Sequence, residues 1–286
     1  MLDFVSFRAV LKSKLLRRTT YGLLAFFVTL GIGLVNPAPS QAGLFDLIFN
    51  GIQVLQISNM SDDQEVALGA DINQQLMATE FRAYNNSQIN NYVNSIGDRL
   101  VPYSDRPGIP YTFQVVNDDS VNAFATMGGY VYVTTGLLAE ADNEAEVAGV
   151  IGHEIGHIAY KHSLERMKQA AISQGIAGAL GLGNDQLVGL GVEVALHLPA
   201  SREAEYDADE HGFVTMGEAG YDQSGMVTFM QKLVREGGSP PEFLSTHPHA
   251  DNRVDSLQDM LDDEAIAGAN NGTDASYYSS QVSALR

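Results

Sequence analysis

His153, Glu154 and His157 stand in a His-Glu-x-x-His pattern, and Glu205 and Asp209 form an acidic pair further along the chain. Residues four apart on an α-helix share nearly the same face, so His153 and His157 can hold one metal ion while Glu154 is turned aside to address a water on it. The chemistry this offers is hydrolysis: zinc acidifies a water and polarises a carbonyl, and Glu154 takes the proton and hands it to the leaving amine. Catalytic zinc usually keeps three protein ligands and one open position. A third histidine on the same helix is excluded, because Tyr160 stands where the necessary glycine would fall and Ser163 where the histidine would fall. His162, nine positions after His153, is expected on the opposite side of a continuous helix. Glu205 from a second helix is then the candidate ligand, and Asp209, four residues on, can accept the outer N–H of a ligand histidine and fix its tautomer. Alone, that acidic run would read as a solvated helix face; beside the first motif it reads as a ligand set.

The elements that must position these groups are legible in outline. Asp142 to His162 reads as one helix, with Asp142 as N-cap, Glu144 and Glu146 in the first turn and Lys161 and His162 in the last. Val147, Val150, Ile151, Ile155 and Ile158 give it a buried face, and the paired Gly152 and Gly156 predict that another backbone passes close to the metal-binding turn. Tyr111 to Val116, Asn122 to Thr126 and Tyr130 to Thr135 read as short strands of a small antiparallel sheet, either plain core or an edge that accepts a substrate backbone. Ser61 to Leu76, Asn85 to Leu100, Tyr221 to Glu236 and Arg253 to Leu261 read as further helices. Ala170 to Leu198 is apolar but broken by Gln174, Asn184, Asp185, Gln186 and Glu193. It predicts a helical hairpin that covers the cleft and touches a bilayer or an unfolded client, or else buried core. His197, His211 and His249 are assigned structural roles. The fold class expected is α+β, one mainly helical domain with a small antiparallel sheet beside the zinc helix.

Arg8, Lys12, Lys14, Arg17 and Arg18 precede an apolar run from Tyr21 to Val35 and the small-x-small sequence Ser40-Gln41-Ala42. That run is short for a membrane span, so residues 1–42 read as a cleaved export signal in preference to an anchor, and an extracytoplasmic, periplasm-like space is expected. The remaining divisions are an apolar leader helix over 43–60, a catalytic domain over 61–261 and a polar, mobile tail over 262–286, with no tetratricopeptide pattern after the domain. The chain has no cysteine, which excludes a lipidated cysteine and a disulfide framework. Its net charge is −19 from 16 basic and 35 acidic side chains. Without residues 1–42, which hold 5 and 1 of these, the charge is −23, a surface that repels nucleic acid and anionic headgroups.

Four segments in chain order, NAFATMGGYVYVTTGLL, HEIGH, SREAEYDADEHG and Thr246-His247-Pro248 through Arg253, make roughly Ser61 to Leu261 resemble the M48 zinc metalloendopeptidases, with the layout of the exported BepA-like members. The resemblance implies that His153, His157 and Glu205 ligate one zinc, that Glu154 is the general base and acid, and that Asp209 supports a ligand histidine. It places His247 at a histidine that approaches the zinc as an extra ligand, and Arg253 at an arginine near the cleft; either could stabilise the oxyanion. Met127 stands before Gly128 and Gly129 where many relatives have proline, which alters the turn and not the chemistry. The function implied is cleavage of unfolded or misassembled cell-envelope proteins. The alternative is a chaperone or scaffold whose zinc site is kept shut by His247 and the apolar cover.

Overall fold

The sheet positions everything else. In this computed structural model, which describes residues 57, 59–173, 183–235, 241–248, 250–264 and 270–285, strands β1 (Thr112–Val116), β2 (Ala123–Thr126) and β3 (Tyr130–Thr134) lie in the order β1-β3-β2. β2 and β3 are antiparallel, but β1 runs parallel to β3, so the sheet is mixed and not antiparallel throughout. The reason lies in the connection 117–122. It crosses the end of β3, where Gly136 N donates to Asp118 O and Thr134 Oγ1 to Ser120 O, and β3 then inserts between the two earlier strands. The turn from β2 to β3 is Met127-Gly128-Gly129, with both glycines in the left-handed region (φ 77° and 95°) that residues with a Cβ avoid. A Cβ at Gly129 would also lie 1.9 Å from Pro110 O.

Alternation along the strands separates two cores. Phe113, Val115, Ala123, Ala125, Val131 and Val133 face one side, where helices α2 (Ser87–Leu100) and α4 (Glu144–Ala159) pack. Val116, Phe124 and Tyr132 face the other, against α1 (Asp62–Thr79) and α5 (His162–Ser173). α3 (Thr135–Glu140) follows β3 directly, its first turn capped by Thr134 Oγ1. α1 starts at a full capping box, Ser61 Oγ with Gln64 N and Gln64 Oε1 with Ser61 N, as a serine three residues ahead of a glutamine predicts. At the start of α2, Asn86 Oδ1 accepts from Gln88 N and Ile89 N.

The zinc helix is shorter than expected. Asn143, not Asp142, is the N-cap of α4, accepting from Glu146 N, while Asp142 N donates to Glu146 Oε2. The helix ends at Ala159 because Lys161 takes a left-handed conformation (φ 56°), and the chain restarts as α5 at His162. Lys161 is held there by Asp62 at 2.8 Å and Glu65 at 3.3 Å.

After α5 come α6 (Asn184–His197) and α7 (Arg202–Glu218). The described part of the expected cover is core: Leu187, Val188, Leu190 and Val194 are buried against α1 and α5. Among the described residues no helix is long and apolar enough to cross a membrane. α8 (Ser224–Arg235), α9 (Glu242–Thr246) and α10 (Ala250–Glu264) follow. The tail differs from expectation. α11 (Ala275–Gln281) folds back so that Tyr278 is fully buried and its hydroxyl donates to Leu138 O at 2.5 Å. Its aromatic and apolar positions Tyr278 and Val282 join the main core, a signal hidden among the polar residues around them. The export signal and nearly all of the apolar leader lie outside the described residues.

Candidate metal centre

α4 and α7 approach more closely than helices with side chains between them can. A Cβ at Gly156 would lie 3.0 Å from Ala208 Cα, and one at Gly152 3.0 Å from Gly212 O, so the second backbone that these glycines predict is α7. The crossing sets His153 and His157 opposite Glu205 and Asp209, and all four are buried. His247, just after α9, enters from the third side with 5% of its surface exposed.

The separations suit a metal. His153 Nε2 lies 3.1 Å from His157 Nε2 and 3.3 Å from His247 Nδ1; Glu205 Oε1 lies 3.2 Å from His247 Nδ1 and 3.4 Å from His157 Nε2; and Glu205 Oε2 lies 3.7 Å from His153 Nε2. Ligand atoms on a tetrahedron with zinc bonds near 2.0–2.1 Å stand roughly 3.3 Å apart. One donor atom from each of the four falls within 4.8 Å of the others, and two imidazole Nε2 atoms so close to a carboxylate are the donor set that zinc prefers. These residues therefore fit zinc. Glu154 is beside them, fully buried, and neither of its oxygens makes a hydrogen bond; His247 Nε2 is 3.3 Å from Oε1 without hydrogen-bonding geometry.

Behind the donors is a second layer. Asp209 Oδ1 lies 2.9 Å from His153 Nδ1, the outer nitrogen. Arg253 donates from Nε to Asp209 Oδ2 at 2.6 Å, from Nη2 to Asp209 Oδ1 at 2.7 Å and from Nη1 to Glu205 Oε2 at 2.5 Å. Burial by itself would raise the Asp209 carboxyl, but Arg253 and His153 hold it below the usual range. Glu205 is held far below its ordinary value by His247 and His157, again against burial. Burial pushes His157 well down, which keeps it neutral and able to ligate. For His247 burial acts downward too, and the Glu205 and Glu154 carboxylates outweigh it to raise the imidazole.

Arg253 corrects one expectation. It is fully buried behind Glu205 and Asp209 with its donors spent on them, so it does not face a substrate carbonyl as an oxyanion donor would. His162 corrects another: its Nδ1 lies 2.8 Å from Nδ1 of His157. Helical periodicity puts it on the far side, and only the left-handed Lys161 brings it round. Of the remaining histidines, His211 stacks on Tyr160 and pairs with Asp105 at 2.8 Å, His197 is exposed at the end of α6, and His249 lies outside the described residues.

The chain is similar in sequence to known proteins. Residues 87–261 match the family described as Peptidase family M48. The chain is 31% identical over 214 residues to the beta-barrel assembly-enhancing protease of Escherichia coli (strain K12), covering 69% of this chain and 44% of that protein. It is 38% identical over 150 residues to the mitochondrial metalloendopeptidase OMA1 of Arabidopsis thaliana, 51% of this chain and 30% of that one. With the metalloprotease LoiP of Escherichia coli (strain K12) it shares 27% identity over 254 residues, 85% of this chain and 98% of that protein. The chain thus spans under half the length of the beta-barrel assembly-enhancing proteases it matches. On the matched region and its identity to these relatives, the chain belongs to peptidase family M48.

Proposed function

We propose that this chain is a zinc-dependent endopeptidase that hydrolyses peptide bonds of unfolded or misassembled cell-envelope proteins outside the cytoplasm. The single observation that carries the reaction is the buried cluster of His153, His157, Glu205 and His247 at zinc-like donor separations beside the buried carboxylate of Glu154, whose oxygens make no hydrogen bond. His153, His157 and Glu205 would hold the ion, with His247 as a further donor. Bound there, zinc supplies a Lewis acid that lowers the pKa of a water towards ~7 and polarises the scissile carbonyl. Glu154 takes the proton on a free carboxylate oxygen and returns it to the leaving amine. Asp209 fixes the tautomer and direction of His153, and Arg253 offsets the two buried carboxylates that would otherwise repel each other. Export is supported by the basic and apolar segment ahead of Ser40-Gln41-Ala42, and envelope substrates by the name of the Escherichia coli relative. The acidic surface argues against nucleic acid.

A gated site is the second reading, favoured by one observation. The segment that brings His247 in also lies against the start of the edge strand β2: Phe243 N donates to Val121 O, two residues ahead of the strand, and His247 Nε2 lies 3.4 Å from Ala123 O at its first residue. A substrate backbone would need that edge.

The test is digestion of an unfolded protein by the zinc-loaded chain beside its Glu154→Gln variant. Cleavage that vanishes in the variant, with zinc retained, is the expected result. Equal cleavage by both would remove Glu154 from the mechanism, and zinc binding without cleavage by either would favour the gated reading.

A further inference from the structure

The two ligand histidines are supported by different chemistry. His153 Nδ1 meets the carboxylate of Asp209. His157 Nδ1 meets another imidazole, Nδ1 of His162, at 2.8 Å, with both rings buried and 75° apart in plane. Two ring nitrogens at that distance need a single proton between them, since two protons would clash and none would leave two lone pairs opposed.

We propose that His162 is a positioning residue for the metal centre: its Nδ1 accepts the outer Nδ1–H of His157 and so holds His157 in the tautomer whose Nε2 faces the metal. The proposal rests on the zinc-peptidase reading above. Its direction follows from the geometry. His157 Nε2 points at His153 Nε2 and Glu205 Oε1, so as a ligand it must be unprotonated there and carry its proton on Nδ1. His162 must then present a lone pair at Nδ1 and carry its own proton on Nε2. That proton is easily accommodated, because Nε2 faces the half-exposed carboxylate of Asp207 at 3.8 Å in a surface cleft of about 280 Å³. α7 thereby backs both ligands, Asp209 directly and Asp207 through His162, two residues apart on one helix. The left-handed Lys161 is what makes this possible, since in a continuous helix His162 would lie about 140° round the axis from His157.

The experiment measures zinc affinity of the full chain by competition with a chromophoric chelator, for the parent, His162→Ala and His162→Asn. Asn presents its amide oxygen where Nδ1 lies and keeps an acceptor; Ala keeps none. The expected result is a 10–100-fold weaker affinity for His162→Ala, the range for loss of an outer partner of a ligand histidine, and recovery of most of it in His162→Asn. Because His162 is buried and a variant could fail to fold, ¹⁵N-resolved spectra of the zinc-loaded parent provide a readout without mutation: His162 should be protonated on Nε2 and His157 on Nδ1. A His162 protonated on Nδ1, an Ala variant with parental affinity, or Ala and Asn variants equally weakened would each overturn the proposal. A parent that binds no zinc would overturn the metal centre itself and this proposal with it, an outcome distinct from a parent that binds zinc as tightly as its variants.

Discussion

Replacing Gly212 by alanine tests whether helix contact holds the metal centre in register. A Cβ at Gly212 would lie 2.7 Å from His153 N and 2.8 Å from Gly152 C, both backbone atoms of the helix that carries the histidines. Propensity alone favours the substitution by about 1 kcal/mol, since glycine is that much worse than alanine inside a helix. Steric contact opposes it. Raising 2.7 Å to the 3.4 Å where ordinary van der Waals contact begins requires α4 and α7 to part by about 0.7 Å. A gap of that size forfeits roughly a quarter to a half of the dispersion energy across the contact, and overpacking typically costs about 1–3 kcal/mol. No side chain can rotate away, so the upper figure applies, and the net loss should be about 2 kcal/mol, or ~4–8 °C in Tm. Gly189→Ala is the control: Gly189 lies exposed inside α6 with nothing within 4 Å of where its Cβ would stand, so only the propensity gain remains and the variant should be more stable than the parent. Urea unfolding of the metal-free proteins reads both. Zinc affinity should also fall in Gly212→Ala, because a 0.7 Å displacement of Glu205 and Asp209 exceeds the ~0.2 Å tolerance of metal–ligand bonds. A Gly212→Ala protein as stable as Gly189→Ala, with parental zinc affinity, would refute the claim that backbone contact sets this geometry.

Arg253→Met should destabilise the metal-free chain by about 3–5 kcal/mol in urea unfolding, because it strands the buried carboxylates of Glu205 and Asp209; a loss below ~1 kcal/mol would show that they find other partners. His247→Ala should increase cleavage of an unfolded protein by the zinc-loaded chain if the segment gates the site, whereas unchanged or lost cleavage counts against a gate. Alkaline pH should unfold the chain as its tyrosines ionise. Burial pushes Tyr111 up to about 12 and raises Tyr132 and Tyr221 further. A raised pKa means that this stability is complete below pH ~10, the unfolded value, and is lost as pH climbs through the folded ones. Phenolate absorbance and circular dichroism should therefore change together; phenols titrating near pH 10 with the fold intact would contradict their burial.

The sequence alone made the metal-binding pattern legible. His153, Glu154 and His157 carry a spacing that has meaning on any helix, because helical periodicity is local and needs no tertiary contact. Capping is equally local, so Ser61 with Gln64 marked the start of α1 to within a residue. Gly152 and Gly156 even announced a close neighbour, though not which one. Pairing Glu205 with Asp209 also follows from spacing, but that their helix crosses α4 is a property of the packed core. The strands were legible by composition, and the direction of β1 was not, because parallel pairing was set by where 117–122 crosses the sheet. Three features belong to tertiary structure alone. Lys161 adopts a left-handed backbone that nothing in its side chain demands, supported by Asp62 and Glu65 from a distant helix, and it turns His162 towards His157. Arg253 is drawn into the core by two carboxylates far away in sequence, a long-range electrostatic demand invisible to any local window. Tyr278 is buried in a polar stretch because a cleft beside Leu138 accepts its ring and hydroxyl, and a surface of that shape exists only once the rest of the chain has folded.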